Sequence, residues 1–134
     1  MKTIIVNVEL TNNNYAASID LLPGCISTAG TFEELRDNMQ EAVALHLEVS
    51  REFGDKMNPA FEGEWELTYK FEPASLLQHY RGIFTNSALE RLTGINQRQL
   101  QRYASGTSKP RPEQAKRIEQ AFRKLGQELQ VVEL

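Results

Sequence analysis

Apolar and polar residues alternate in two stretches near the ends of the first 72 residues. Every second residue is apolar from Thr3 to Leu10, and the same holds from Glu64 to Phe71. A period of two places these apolar side chains on one face of a strand. Both stretches are therefore predicted to be strands of a sheet that has one buried face.

Two shorter strands are predicted after the first one. Residues 12–14 are three consecutive asparagines, which favour a turn, and Tyr15–Asp20 is predicted to return as the second strand of a hairpin. A Pro-Gly-Cys turn at residues 23–25 then breaks the chain, and Ile26–Ala29 is the predicted third strand.

A long helix is predicted between the third strand and the last. It begins at Thr31, which forms a capping-box pattern with Glu34, and apolar residues recur at helical spacing to about Phe53. The predicted order of elements in residues 1–72 is therefore β-β-β-α-β.

Helical spacing replaces alternation in residues 73–134. Pro73 and Pro112 fit first helical positions, and Thr85 and Asn96 fit N-caps, so four helices are predicted to start there. Gly126 marks the predicted end of the fourth helix. Gln99 follows Asn96 at the spacing of a capping-box partner.

The tail from Glu128 to Leu134 has high β propensity and is too short to form a sheet alone. We expect it to form a short C-terminal strand that pairs with another strand across a dimer. The predicted fold class is α+β, with a β-β-β-α-β module in residues 1–72 and an all-α module with this strand in residues 73–134.

The third predicted helix has one apolar face and one face of Gln and Arg. If Leu100 and Tyr103 point inward, 100° per residue places Arg98, Gln101 and Arg102 outward. Gln and Arg form bidentate hydrogen bonds with adenine and guanine in the major groove. The composition is that of a DNA-recognition helix. The alternative is a helical bundle that does not bind DNA.

Charge divides the chain at the same place. Residues 1–72 carry five Lys and Arg against thirteen Asp and Glu, whereas residues 73–134 carry ten against five. The net charges are −8 and +5, which indicates nucleic acid as a partner of the second module and a basic partner for the first. Scattered surface charge is the plainer alternative.

Composition excludes several classes of protein. A chain of 134 residues with 40% hydrophobic and 25% charged residues is ordinary globular material, too short for a large multi-site enzyme. With one cysteine it forms no intramolecular disulfide and no four-thiolate zinc site, and we expect no cofactor or metal. Without a long apolar run or a signal-peptide pattern, we expect a soluble, cytoplasmic protein with no membrane partner.

The first module resembles the HicB-type antitoxins. The residues that carry this resemblance are Tyr15–Ile19, Leu22–Cys25, Thr28–Leu35, Asn38, Glu41 and Ala42. The resemblance implies a truncated ribonuclease-H-like fold and a role in blocking a small, basic, RNA-cleaving HicA-like toxin. The expected toxin-binding residues are Pro23, Gly24, Cys25, Glu33, Glu34 and Asp37.

The second module resembles the Cro/C1-type (Xre-like) helix-turn-helix. The matching positions are Asn86, Leu89, Leu92, Gly94–Gln97, Leu100, Arg102, Tyr103, Gly106, Lys109 and Pro110. The expected DNA-binding residues are Asn86, Asn96, Gln97, Arg98, Gln101, Arg102, Thr107 and Lys109. Glu90 departs from the family pattern, where a small residue is usual, so either the two helices pack apart or Glu90 swings outward.

The hypothesis from the sequence is a non-enzymatic antitoxin that neutralises a toxin and represses its own operon by binding operator DNA as a homodimer or a higher homo-oligomer. A stand-alone regulator, whose first module dimerises or senses a ligand, is the main alternative. A metal-dependent nuclease is a third, although Asp20, Glu33, Glu34 and Asp37 do not form a recognisable ligand set.

Overall fold

Four strands and a long helix form the first of the two units into which the chain divides, residues 1–72 and 73–134. The structure is a computed structural model that describes residues 1–134. The elements of the first unit are β1 (Lys2–Leu10), β2 (Tyr15–Ser18), β3 (Ile26–Ala29), α1 (Phe32–Glu52), a 3₁₀ turn (Pro59–Phe61) and β4 (Trp65–Phe71). The predicted order β-β-β-α-β is confirmed.

The sheet has the strand order β3-β2-β1-β4. Strands β1, β2 and β3 form antiparallel pairs, with Val8 opposite Ala17, whereas β4 pairs parallel to β1, with Ile4 opposite Leu67. A parallel neighbour requires a crossover connection, and α1 provides it. The helix therefore covers one face of the sheet.

The core of the first unit lies between α1 and the sheet. Alternation turns Ile4, Val6 and Val8 toward the helix, and all three are at most 3% exposed. The helix contributes its own buried stripe, which consists of Leu35, Met39, Val43 and Leu47. Phe53, which the sequence places on this stripe, lies past the end of the helix and is 78% exposed.

Four helices form the second unit. They are α2 (Pro73–Tyr80), α3 (Asn86–Thr93), α4 (Gln97–Ser105) and α5 (Pro112–Gln130). Their core consists of Leu77, Leu89, Ile95, Leu100, Tyr103, Ala104 and Ile118. The rings of Tyr80 and Phe122 stack with their centroids 4.7 Å apart, so α5 packs against the end of α2. The α+β class predicted from the sequence is confirmed.

The expected C-terminal strand is wrong. Helix α5 continues through Gly126 to Gln130, and the last four residues form no strand. The helical stripe Ile118, Phe122, Leu125 continues to Leu129. A helix satisfies its own backbone hydrogen bonds, whereas a strand has to pair with a neighbouring strand. No helix in the structure combines the length and apolarity needed to cross a bilayer.

Candidate nucleic-acid interface and candidate partner surface

Helices α3 and α4 are joined by a tight turn. Thr85 caps α3, because its Oγ1 accepts a hydrogen bond from the N–H of Ala88 at 3.1 Å. At the other end Gly94 adopts φ 72°, which a residue without Cβ reaches at no steric cost. Thr93 stabilises the turn, since its buried hydroxyl donates to the Leu89 carbonyl and accepts from the N–H of Ile95.

Helix α4 is positioned by its cap and by its buried face. The Asn96 side chain accepts a hydrogen bond from the N–H of Arg98 at 2.9 Å, so the predicted N-cap is confirmed. Leu100, Tyr103 and Ala104 are buried, and Arg98, Gln101, Arg102 and Ser105 are exposed. The predicted faces of this helix are therefore confirmed.

The exposed face of α4 lines an open groove of about 670 Å³. The residues that surround it are Arg81, Arg98, Gln101, Arg102 and Ser105. Arg81, which follows α2, is not among the DNA-binding residues expected from the sequence. Its place depends on the packing of α2 against α4, where Gln78 donates to the Ala104 carbonyl at 2.6 Å, and local sequence carries no signal of that contact.

The three arginines of the groove form no ion pair with carboxylates of the chain, whose one salt bridge joins Arg123 to Glu119. Three guanidinium groups around one groove create a positive potential that attracts an anionic polymer. Gln101 adds an amide that both donates and accepts hydrogen bonds. The groove thus combines general attraction for phosphate with groups that distinguish bases.

The loop after α4 carries two further expected DNA-binding residues. Lys109 is exposed, and Thr107 shares a 2.8 Å hydrogen bond with the Ser105 hydroxyl at the end of α4. Gln99 donates to the Ser108 hydroxyl at 3.4 Å, and so ties this loop to the helix. The expectation that Gln99 completes a capping box with Asn96 is wrong, because Asn96 accepts from the next residue but one instead.

The remaining expected DNA-binding residues lie at the starts of α3 and α4. Asn86 is the half-buried first residue of α3, and Gln97 is the half-buried first residue of α4. Glu90 does not swing outward, which is one of the two expected arrangements. It is half-buried, and its carboxylate accepts hydrogen bonds from the backbone and the side chain of Gln97, at 3.2 and 3.4 Å.

A second candidate surface lies at the start of α1. Glu33, Glu34 and Asp37 are exposed there, and the first two lie in the first turn, where the helix dipole favours negative charge. Thr31 caps the helix by accepting from the N–H of Glu34 at 3.1 Å, as predicted. This end of the helix presents a compact acidic patch.

The Pro-Gly-Cys turn precedes β3, whereas the acidic patch follows it, so they flank opposite ends of that strand. Pro23 and Gly24 are exposed, with Gly24 at φ 87°. Cys25 is buried in the core, and this burial raises the pKa of its thiol. Of the three turn residues, only Pro23 and Gly24 are exposed and can therefore contact a partner.

Two family models match the chain, one in each unit. Residues 3–67 match a family described as the HicB_like antitoxin of bacterial toxin-antitoxin system, and residues 82–129 match a family described as helix-turn-helix. No curated protein matches the chain. Both resemblances found in the sequence are confirmed.

Proposed function

We propose that the chain neutralises a small basic toxin and represses its own operon, because residues 3–67 match the HicB_like antitoxin family and residues 82–129 match a helix-turn-helix family. The toxin of this proposal is an RNA-cleaving protein of the HicA-like class. The DNA is an operator that the second unit recognises by sequence. The proposed role contains no catalytic step.

The groove along α4 is the observation that carries the proposal. It presents Arg98, Gln101 and Arg102 on a helix whose opposite face is fully packed, and an exposed helix of this kind fits the major groove of DNA. In the proposal, Arg98 and Arg102 contact base edges. Asn86, Lys109 and Arg81 contact phosphates and fix the register.

The acidic patch on α1 supports the toxin half of the proposal. A protein that binds RNA is basic at its binding face, so Glu33, Glu34 and Asp37 offer complementary charge. Charge of this kind acts mainly on the rate of association, and the affinity comes from apolar contacts around it. Pro23 and Gly24 are the exposed residues of the turn in the same unit.

The DNA half is tested with a duplex that the full chain selects from a randomised library. Arg98→Ala is expected to weaken binding to the selected duplex by roughly 1–3 kcal/mol and to relax base preference. Lys109→Ala is expected to weaken selected and random duplexes alike and to reduce the salt dependence of binding. Affinities of both variants for selected and random duplexes, measured over a range of salt concentrations, distinguish a base contact by Arg98 from a phosphate contact by Lys109.

Lys56→Ala removes one positive charge from an exposed site of the first unit and is the matched control. It is expected to leave both affinities unchanged. Equal losses on selected and random DNA for Arg98→Ala and Lys109→Ala would contradict the recognition role of α4. A chain that selects DNA and binds no toxin encoded beside its gene would instead be a stand-alone regulator.

A further inference from the structure

Glu90 occupies an unusual place for an acidic residue, between the two helices of the proposed DNA-binding motif. Its Oε1 accepts a hydrogen bond from the backbone N–H of Gln97, and its Oε2 accepts one from Nε2 of the same residue. One carboxylate therefore holds both the backbone and the side chain of the first residue of α4. A solvated surface carboxylate would not be fixed in this way.

We propose that Glu90 is a positioning residue that fixes the amide of Gln97 so that it recognises adenine. This inference rests on the proposed DNA binding of α4 and adds to it a specificity that the arginines do not provide. Glu90 itself touches no base. It acts through Gln97, the first side chain of the helix that faces the DNA.

The chemistry of the two groups determines which way the amide points. An ionised carboxylate only accepts hydrogen bonds, so the nitrogen end of the Gln97 amide must face Glu90. One of the two Nε2 hydrogens is used in that contact. The amide is left with one N–H donor and the Oε1 acceptor for any other partner.

One donor and one acceptor match adenine. In the major groove, adenine presents N7 as an acceptor beside the N6 amino donor, whereas guanine presents two acceptors, N7 and O6. Gln97 held by Glu90 satisfies both groups of adenine and only one of guanine. A free Gln amide loses this bias, because it can rotate and spend both hydrogens on other acceptors.

The local structure makes the arrangement rigid. The N–H of Gln97 is among the first of α4, which have no partner within the helix, and a carboxylate at a helix start is stabilised by the helix dipole. Both Glu90 and Gln97 are half-buried, and the adjacent Leu89 and Leu100 are fully buried. The amide is therefore oriented before DNA arrives, which lowers the entropy lost on binding.

The test compares base preferences that full chains select from a randomised duplex library. Glu90→Gln keeps the length of the side chain but replaces one of its two acceptor oxygens with an NH₂ donor, so residue 90 no longer forces the nitrogen end of the Gln97 amide to face it. We expect the preference for adenine over guanine to fall by about tenfold at one base position and to persist elsewhere. Gln97→Ala is expected to abolish the preference at the same position, and adding Glu90→Gln to it is expected to change nothing more.

Glu113→Gln is the matched control, since Glu113 is an exposed acid in the first turn of α5. It removes the same charge from the same unit, so any general gain in DNA affinity appears in both variants. Its base preferences are expected to equal those of the unmodified chain. Thermal melting of each variant identifies any loss of fold.

The outcomes separate this inference from the proposed function. If the unmodified chain selects no sequence, the proposed DNA recognition fails. If it selects one and Glu90→Gln, folded, keeps the same base preference at every position, the positioning role of Glu90 is overturned. A uniform loss across all positions would make Glu90 a structural residue only, and would overturn the inference equally.

Discussion

Cys25 lies at the end of the Pro-Gly-Cys turn, and its side chain belongs to the core of the first unit. It is 4% exposed, and burial disfavours the charged thiolate, so the pKa of the thiol lies above its usual value. The thiolate is the reactive form of cysteine. At neutral pH this residue is therefore a packed apolar group, although its neighbours in the turn are exposed.

Alkylation of Cys25 by iodoacetamide is expected to be at least about tenfold slower in the folded chain than in urea, because both exposure and thiolate fraction are low. The raised pKa also predicts a pH effect on stability. Burial of the neutral Cys25 thiol contributes to the free energy of unfolding. This contribution is fully present below the pKa of the thiol in the unfolded chain, and it is lost as the pH rises through the pKa of the thiol in the folded chain. Mass spectrometry follows the first effect and urea denaturation the second.

Thr28→Cys in a chain that also carries Cys25→Ser is the control for this prediction, since Thr28 is exposed on the neighbouring strand β3. Its thiol is expected to react at a rate close to that of the unfolded chain. If the native Cys25 reacts as fast as this control, the thiol is not held in the core.

At the scale of single elements, two glycines of the second unit have opposite roles. Gly94 ends α3 at φ 72°, and an added Cβ would lie 2.6 Å from Nη2 of Arg117, which donates to the Gly94 carbonyl at 3.3 Å. Gly126 lies within α5, with no atom near the position of an added Cβ. One glycine is required by its backbone conformation, and the other only weakens a helix.

Gly94→Ala is expected to lower the free energy of unfolding by about 1–2 kcal/mol, because an L-residue is strained in the left-handed region. Gly126→Ala is expected to raise it by about 0.5–1 kcal/mol, because alanine loses less backbone entropy in a helix. Urea denaturation of the two variants provides the comparison. Changes of the same sign would contradict the roles assigned to the two residues.

The same elements show what local sequence can predict. Alternation around Ile4 and the caps Thr31 and Thr85 depend on neighbouring residues, and these predictions are confirmed. The C-terminal tail was predicted wrongly, because its β propensity competes with a helical stripe that is already packed at Ile118. Local propensity does not settle such a competition.

In the candidate interface, too, the features that depend on neighbouring residues could be predicted from the sequence, and those that depend on packing between helices could not. The outward face of α4 follows from the inward position of Leu100, so exposure of Arg98 could be predicted from spacing alone. Arg81 and the partner of Glu90 could not, because both depend on how separate helices pack. Contacts of that kind have no fixed spacing in sequence.

At the scale of the whole molecule, we expect the proposed DNA recognition to require more than one chain. A single helix-turn-helix contacts few base pairs, so we expect a dimer that binds two half-sites roughly 34 Å apart. The end of α5 and the tail expose Leu129, Val131, Val132 and Leu134. Apolar side chains left uncovered at one end of a chain are the candidate contributors to a second copy's interface.

Deletion of residues 128–134 is expected to lower the mass measured by light scattering and to weaken binding to a two-half-site duplex. Binding to a single half-site is expected to persist, because α4 does not include these residues. Unchanged mass and unchanged affinity for the two-half-site duplex would remove the tail from the dimer interface.

The opposite charges of the two units predict that the two proposed activities can be altered separately. Reversal of Glu33, Glu34 and Asp37 to Lys is expected to slow association with the toxin most at low salt, since salt screens exposed charges. DNA affinity is expected to change far less, because these residues belong to the unit without α4. Stopped-flow association rates at several salt concentrations measure the first effect.

Reversal of Glu48, Glu52 and Asp55, near the other end of α1, is the matched control. If both sets of reversals slow association with the toxin equally, the toxin interface does not lie at the start of that helix.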